Sequence, residues 1–275
     1  MPASWFCNNH LDAAYTWLCH RRKDYPANVD IWWFRQRWET EKPTLLRKLA
    51  TGRLRFEPLR QVKLKTGETI ELWSARDALV LKMLAWALAD VLPSSSRCTH
   101  LKNHGGARHA VLEVMEHLPQ HRFVMRTDVK SYYASIDHHL LLDMLARYVK
   151  DRFVLNLLGQ YLQRSVDYGG LYREINKGIS LGCPLSPVIA AFFLYALDNR
   201  MAQSNVFYVR FMDDVIILAK TRWKLRNAVA VVNGELDKLK LEKHPDKTFI
   251  GRIDNGFDFL GYHINATTLH PATTT

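Results

Sequence analysis

The chain has 275 residues, 48% of them hydrophobic, which is enough to bury a sizeable core and excludes a disordered polypeptide. Its 38 Lys and Arg against 27 Asp and Glu leave a formal charge of +11, a surface that attracts polyanions, nucleic acid before anionic membrane. The four scattered cysteines, Cys7, Cys19, Cys98 and Cys183, have neither CxxC nor matched Cys/His spacing. That excludes a zinc module and reads as reduced, mostly buried thiols in a cytoplasmic protein.

The N-terminal stretch lacks the basic start and continuous apolar core of a signal peptide. Residues 1–52 are helical in pattern with a break at Pro26, and they hold Trp5, Trp17, Trp32, Trp33 and Trp38 interleaved with Arg21, Arg22, Lys23, Arg35 and Arg37. Such a surface can stack on bases and neutralise phosphates, or it can pack its indoles against the next subdomain. Both readings stand. Residues 53–73 alternate apolar and polar positions around Lys65-Thr66-Gly67-Glu68, a hairpin with Lys63 and Lys65 on one arm. A helix is predicted from Ala75 to Val91, ended by Pro93, and another from Ala107 to Leu118. Gly105-Gly106 between them has neither dinucleotide nor Walker spacing. "DALVLKMLAWALADVL" carries Lys82 and Asp90 and the later "VIAAFFLYAL" has ten residues, so neither spans a membrane and no membrane partner is expected.

Next come a strand (Arg122 to Val129), a helix (His138 to Val149), a second helical stretch to Arg164, a short polar region to Gly178 and a buried helix (Ser186 to Met201). In "YVRFMDDVIILAK" two apolar, β-favouring runs flank Asp213 and Asp214, which reads as a hairpin with the acids at its turn. A helix from Arg222 to Lys240, short strands in "KTFIGR" and "FDFLGYHI", and the tail "NATTLHPATTT" complete the chain. Without the inserted helix the order is β-α-β-β-α-β, the split βαβ, ferredoxin-like arrangement of an α+β fold. It sets the first strand, which ends at Asp128, beside the hairpin. An acidic turn alone could be an ordinary solvated one. Three converging carboxylates resist ionising together unless cations hold them. Two Mg²⁺ about 4 Å apart would do so and would clamp both oxygens of an in-line phosphoryl transfer.

"RTDVKSYYASID", "KGISLGCPLSPVIAAFFLYALD", "YVRFMDDVIIL", "LKLEKHPDKTFIG" and "FDFLGYHI" stand in the order and approximate spacing of the palm motifs of reverse transcriptases. Over residues 53–264 the chain resembles most the bacterial branch that includes group II intron, retron and defence-associated enzymes. The resemblance implies metal binding by Asp128 and Asp213, with Asp214 as the second acid of the Tyr-x-Asp-Asp box, where Phe211 replaces the usual Tyr. It implies that Tyr133 is the steric gate that selects dNTPs and that Lys247 is a general acid near the leaving pyrophosphate. Gly182 would allow close backbone approach to the nascent pair, although Ser180-Leu181-Gly182 replaces the usual Pro-Gln-Gly. Ser186 would cap the helix beneath the templating base, and Phe257 to Tyr262 would grip the primer. Lys63, Lys65 and Arg76 share the expectation of a triphosphate contact, since the usual Arg-Pro-Leu box is absent.

The resemblance thus implies a right-hand fingers-palm polymerase that makes DNA from dNTPs on an RNA template with two Mg²⁺, or Mn²⁺ in their place. Its parts are expected at 1–52 (helical, basic and aromatic), 53–121 (fingers), 122–255 (palm, with an insert at about 151–182), 256–264 (primer-grip hairpin) and 265–275 (tail). Template-independent synthesis by the same palm and a silent RNA-binding module are the alternatives. The short Thr-rich tail leads to the expectation of a lacking or truncated thumb, with a second copy of the chain or a structured RNA as clamp. With no maturase, endonuclease or integrase segment recognised, antiviral defence is the expected setting.

Overall fold

The computed structural model describes residues 5–6, 8–63, 69–265 and 268–272. Helices α1 (Asn8–Arg21), α2 (Ile31–Gln36) and α3 (Trp38–Ala50) come first, with the break at Pro26 between α1 and α2. Strands β1 (Leu59–Lys63) and β2 (Thr69–Leu72) pair antiparallel with Lys63 opposite Thr69. The turn between them, Lys65 included, lies outside the described residues. Helix α4 (Ala75–Val91) opens on Ser74, whose side chain accepts from the Asp77 N–H and satisfies one of the free donors of the first turn. Then follow α5 (Gly106–His117), β3 (Phe123–Thr127), α6 (Tyr132–Ser135), α7 (His138–Ala146) and α8 (Arg152–Leu162). The rest comprises β4 (Ser165–Tyr168), β5 (Leu171–Glu174), α9 (Ser186–Phe193), α10 (Tyr195–Ala202), β6 (Phe207–Phe211), β7 (Asp214–Ala219), α11 (Arg222–Lys238), β8 (Phe249–Arg252), β9 (Phe257–Phe259), β10 (Tyr262–Ile264) and β11 (Leu269–Pro271).

The chain divides into two compact units, one of Met1–Leu92 with His138–Val188 and one of Pro93–Asp137 with Ile189–Thr275. In the first, two hairpins join into one sheet of order β2-β1-β4-β5, through a parallel pairing of Leu59 with Val166 and Arg60 with Asp167. The second contains a sheet of order β6-β7-β3-β8 in which every neighbouring pair is antiparallel. This is the split βαβ order, with β3 beside the β6–β7 hairpin as expected. Ala110, Val111 and Val114 of α5 meet Val124, Val209, Ile216 and Leu218 of the sheet and Phe257, Phe259 and Ile264 of the β9–β10 hairpin in one buried cluster. Burying each of its Val, Leu, Ile and Phe side chains contributes about 1.5–3 kcal/mol. Helix α11 packs on β3 and β7. Among the described residues no helix is long and apolar enough to cross a membrane.

Three local expectations are corrected. The helix read from Ser186 to Met201 breaks at Leu194. The reason lies in two carbonyls of α9: that of Ala190 accepts from the Tyr132 hydroxyl and that of Ala191 from Arg210, so side chains take the place of helical N–H donors. The polar region after Arg164 is the β4–β5 hairpin, closed by Gly169 and Gly170 at φ +68° and +98°. A two-residue loop with both φ positive matches the twist of the strands it joins, so "YGGL" carried a signal that its polar surroundings hid. The Thr-rich tail contributes β11, paired with β10.

Candidate active site

Sheet register brings the acids together. Thr127 pairs with Val215 and Phe211 with Asp214, so Asp128, one step beyond β3, emerges beside the first residue of β7. Met212 and Asp213 form the two-residue turn of the hairpin. After β3 the chain continues to pair, Val129 with Lys243, and the Asp128 carbonyl accepts from the His244 N–H at 2.8 Å. That pairing, the Thr127–Thr248 hydroxyl contact at 2.8 Å and the Arg126 guanidinium donating to the Lys247 carbonyl at 3.0 Å hold the segment that carries Lys247. Lys247 Nζ donates to Asp128 Oδ2 at 2.7 Å. Arg126 also lies 3.8 Å from Asp214.

Electrostatics follow from this crowding. Burial, then the nearby Asp128 and Asp214 charges, push the Asp213 carboxyl up to about 6. Asp214 is raised as well, by burial first, against the pull of Arg126. The hydrogen bond to Asp128 raises Lys247 and holds its proton. Three carboxylates are hard oxygen donors of the kind Mg²⁺ or Mn²⁺ takes, so the donor chemistry fits the implied cations. The arrangement itself is not a closed ligand set: among the described residues no three His, Cys, Asp or Glu side chains are grouped to hold a metal. Lys247 takes one oxygen of Asp128, and Arg126 lies 3.8 Å from an oxygen of Asp214.

Tyr133 follows in α6, half-buried, its ring edge-on to Tyr132 at 5.9 Å. Tyr132 is the packed aromatic of the pair, buried with its hydroxyl on the Ala190 carbonyl at 2.6 Å. The residues expected to meet the triphosphate, the nascent pair and the templating base belong to the first unit. Gly182 has φ +75° with open space where a Cβ would stand. It lines a cleft of about 470 Å³ with Trp17, Arg21, Tyr25, Trp73 and Ser180. Ser186 uses its hydroxyl to bind the Ser180 carbonyl and the Tyr161 hydroxyl, which ties the glycine segment down. Lys63 lies in β1 and Lys65 outside the described residues. Arg76 binds the buried Asp77, the Arg55 carbonyl at 2.9 Å and Glu57 at 3.3 Å, a structural clamp at the head of α4. Of the N-terminal tryptophans, Trp38 stacks on Tyr15 at 4.0 Å in the interior, while Trp33 is half-exposed beneath Arg37. Cys98 and Cys183 are buried free thiols, raised by burial to about 11 and about 12.

Sequence reasoning missed the support beneath the acidic turn. Arg210 in β6 is fully buried and pairs with the equally buried Asp198 of α10. His100 accepts from the Met212 N–H at 3.1 Å. The available signal was a lone arginine inside the apolar run "FYVRF", since a buried charge requires a buried partner.

A split βαβ sheet with three aspartates at adjoining strand ends is the α+β arrangement that the palm motifs led one to expect. Residues 75–264 match the family described as reverse transcriptase (RNA-dependent DNA polymerase), and the chain belongs to that family. It is 26% identical over 218 residues to the putative COX1/OXI3 intron 1 protein of Saccharomyces cerevisiae, a match covering 75% of this chain and 26% of the relative. It is 24% identical over 178 residues to the protein YkfC of Escherichia coli strain K12, covering 52% and 47%. The chain thus spans less than half the length of either relative. Among solved structures, an apo telomerase from Candida tropicalis truncated from its C-terminal domain aligns with a TM-score of 0.49 and 14% identity, over 61% of this chain and 40% of that one.

Proposed function

We propose that this chain is an RNA-directed DNA polymerase that extends a primer 3′-OH with dNTPs along an RNA template. The observation that carries the reading is the convergence of Asp128, Asp213 and Asp214 at adjoining strand ends of the palm sheet with Lys247 on Asp128. Asp128, Asp213 and Asp214 would hold two Mg²⁺ ions, which when bound supply positive charge to the attacking and leaving oxygens of an in-line displacement. The residues do the rest by position. Lys247, held beside the acids by its bond to Asp128, would be the ammonium that meets an anionic phosphate oxygen of the leaving pyrophosphate and gives it a proton. Arg126 fixes the backbone of Lys247 and steadies Asp214, so acid and ligands share one frame. The Tyr133 ring, five residues beyond Asp128, would stand in the volume a ribose 2′-OH needs and so select dNTPs. The surplus of basic side chains draws the polyanionic template and primer.

The experiment is primer extension with purified protein, a defined RNA template, dNTPs and Mg²⁺, with Asp128→Asn as control and the products sequenced. Products complementary to the template and absent from the control are expected. Homopolymer or template-free products would establish untemplated synthesis, and RNA binding without synthesis would establish a silent module. Antiviral defence is the setting we propose, supported by the resemblance of the palm motifs to the bacterial branch. Phage plating on bacteria that express the parent or Asp128→Asn tests it, with protection by both proteins or by neither counting against a role for synthesis in defence.

A further inference from the structure

Arg210 is the largest of the fully buried side chains among the described residues. Its guanidinium donates through Nε to Asp198 Oδ1 and through Nη2 to Asp198 Oδ2, both at 2.7 Å, a bidentate pair. Nη2 also reaches the Ala191 carbonyl at 2.9 Å, and the Tyr208 hydroxyl gives Asp198 a further donor at 2.7 Å. The backbone is held equally firmly, since the Arg210 N–H meets the Arg97 carbonyl and the Thr99 N–H the Arg210 carbonyl, each at 2.9 Å.

What this anchored side chain does with Nη1 matters for the site. It donates to the Met212 carbonyl at 2.7 Å, while the Met212 N–H is held by His100 Nδ1 at 3.1 Å. Both polar backbone groups of one residue are thereby gripped. That residue has φ +56°, a left-handed conformation that a side chain with a Cβ keeps only when its surroundings hold it there. The two residues that follow are Asp213 and Asp214. A buried ion pair adds little net stability over an apolar pair of the same volume, so stability alone does not account for its place beneath this turn.

We propose that Asp198 and Arg210, with His100, are positioning residues that lock Met212 left-handed and so aim the carboxylates of Asp213 and Asp214 at a common cation site. The inference rests on the polymerase reading above. It assigns none of the three a contact with substrate.

Two variants separate positioning from support of the fold. Arg210→Lys keeps the charge, but its single ammonium cannot span Asp198 and the Met212 carbonyl as the planar fork does. The triple variant Asp198→Leu, Tyr208→Phe, Arg210→Met removes both charges and the dependent hydroxyl together, so no buried charge is left unpaired. Mn²⁺ binding to the nucleic-acid-free full chain is measured by electron paramagnetic resonance and calorimetry, beside thermal melting and the Mg²⁺ dependence of primer extension. Both variants should fold, and each should bind Mn²⁺ about tenfold or more weakly and need correspondingly more Mg²⁺, the usual scale for losing a residue that orients a ligand. Asp213→Asn is the control. Parent Mn²⁺ binding that this control does not abolish would overturn the cation-site reading and this inference with it. If the control abolishes binding but a folded triple variant keeps it within about twofold, the positioning role alone falls. Loss of the fold in the triple variant would mark the pair as a staple of the core and overturn the proposal equally.

Discussion

Asp213→Asn should make the protein inactive and more stable at the same time, with the gain in stability confined to one pH range. In the folded chain burial and the neighbouring acids raise the Asp213 carboxyl from 3.8 to about 6. Between those values the folded state holds a proton that the unfolded state has released, so stability falls as pH rises through the interval and stays at the lower level above it. At about 1.4 kcal/mol per pH unit the displacement corresponds to about 3 kcal/mol, and solvent access to the partly exposed carboxylate reduces this to about 1–2 kcal/mol. Asparagine carries no charge and keeps the shape, so it removes the penalty. At pH 7 the variant should melt roughly 2–8 °C above the parent, with only a small difference near pH 4. Mg²⁺ should stabilise the parent at pH 7 more than the variant, because it binds the ionised acid. Melting curves of both proteins from pH 4 to 7.5, with and without Mg²⁺, make the measurement. A parent more stable than the variant at pH 7, or a difference that does not change with pH, would refute the argument that the acids are crowded and destabilising.

Asp128→Asn should abolish primer extension and release Lys247, whose pKa should return toward 10.5, measurable by NMR of the labelled lysine. Lys247→Ala should lower kcat about 10²-fold with little change in dNTP KM, as expected of a lost proton donor; a KM effect alone would make it a binding residue. Tyr133→Ala should raise ribonucleotide incorporation relative to dNTP, and an unchanged ratio would show that another group gates the sugar. RNA affinity should fall by about 10³-fold or more between 50 and 200 mM salt if six or more phosphates are contacted; a flat response would assign the +11 charge to something other than nucleic acid.

The sequence by itself determined the order of the palm elements and the places of its acids, because alternation, turn residues and helix starts are local. "FMDD" between two β-favouring runs reads as a tight hairpin, and the strand expected from Arg122 to Val129 is observed from Phe123 to Thr127. It also carried the Gly169-Gly170 turn, whose signal was local although its surroundings read as polar. Other features depend on residues far apart in the chain, and only the tertiary structure decided them. The break at Leu194 arises because Tyr132 and Arg210 take the carbonyls of Ala190 and Ala191. The union of two hairpins into one sheet needs Leu59 beside Val166. Arg210 looks like a misplaced charge in "YVRF" until Asp198 is folded against it, and Arg76, one of three candidates for a triphosphate contact, has Asp77 and Glu57 as ion-pair partners that only the fold supplies. Strand and turn preferences act within a few residues. The partner of a buried charge is chosen by whatever the fold brings within hydrogen-bond reach.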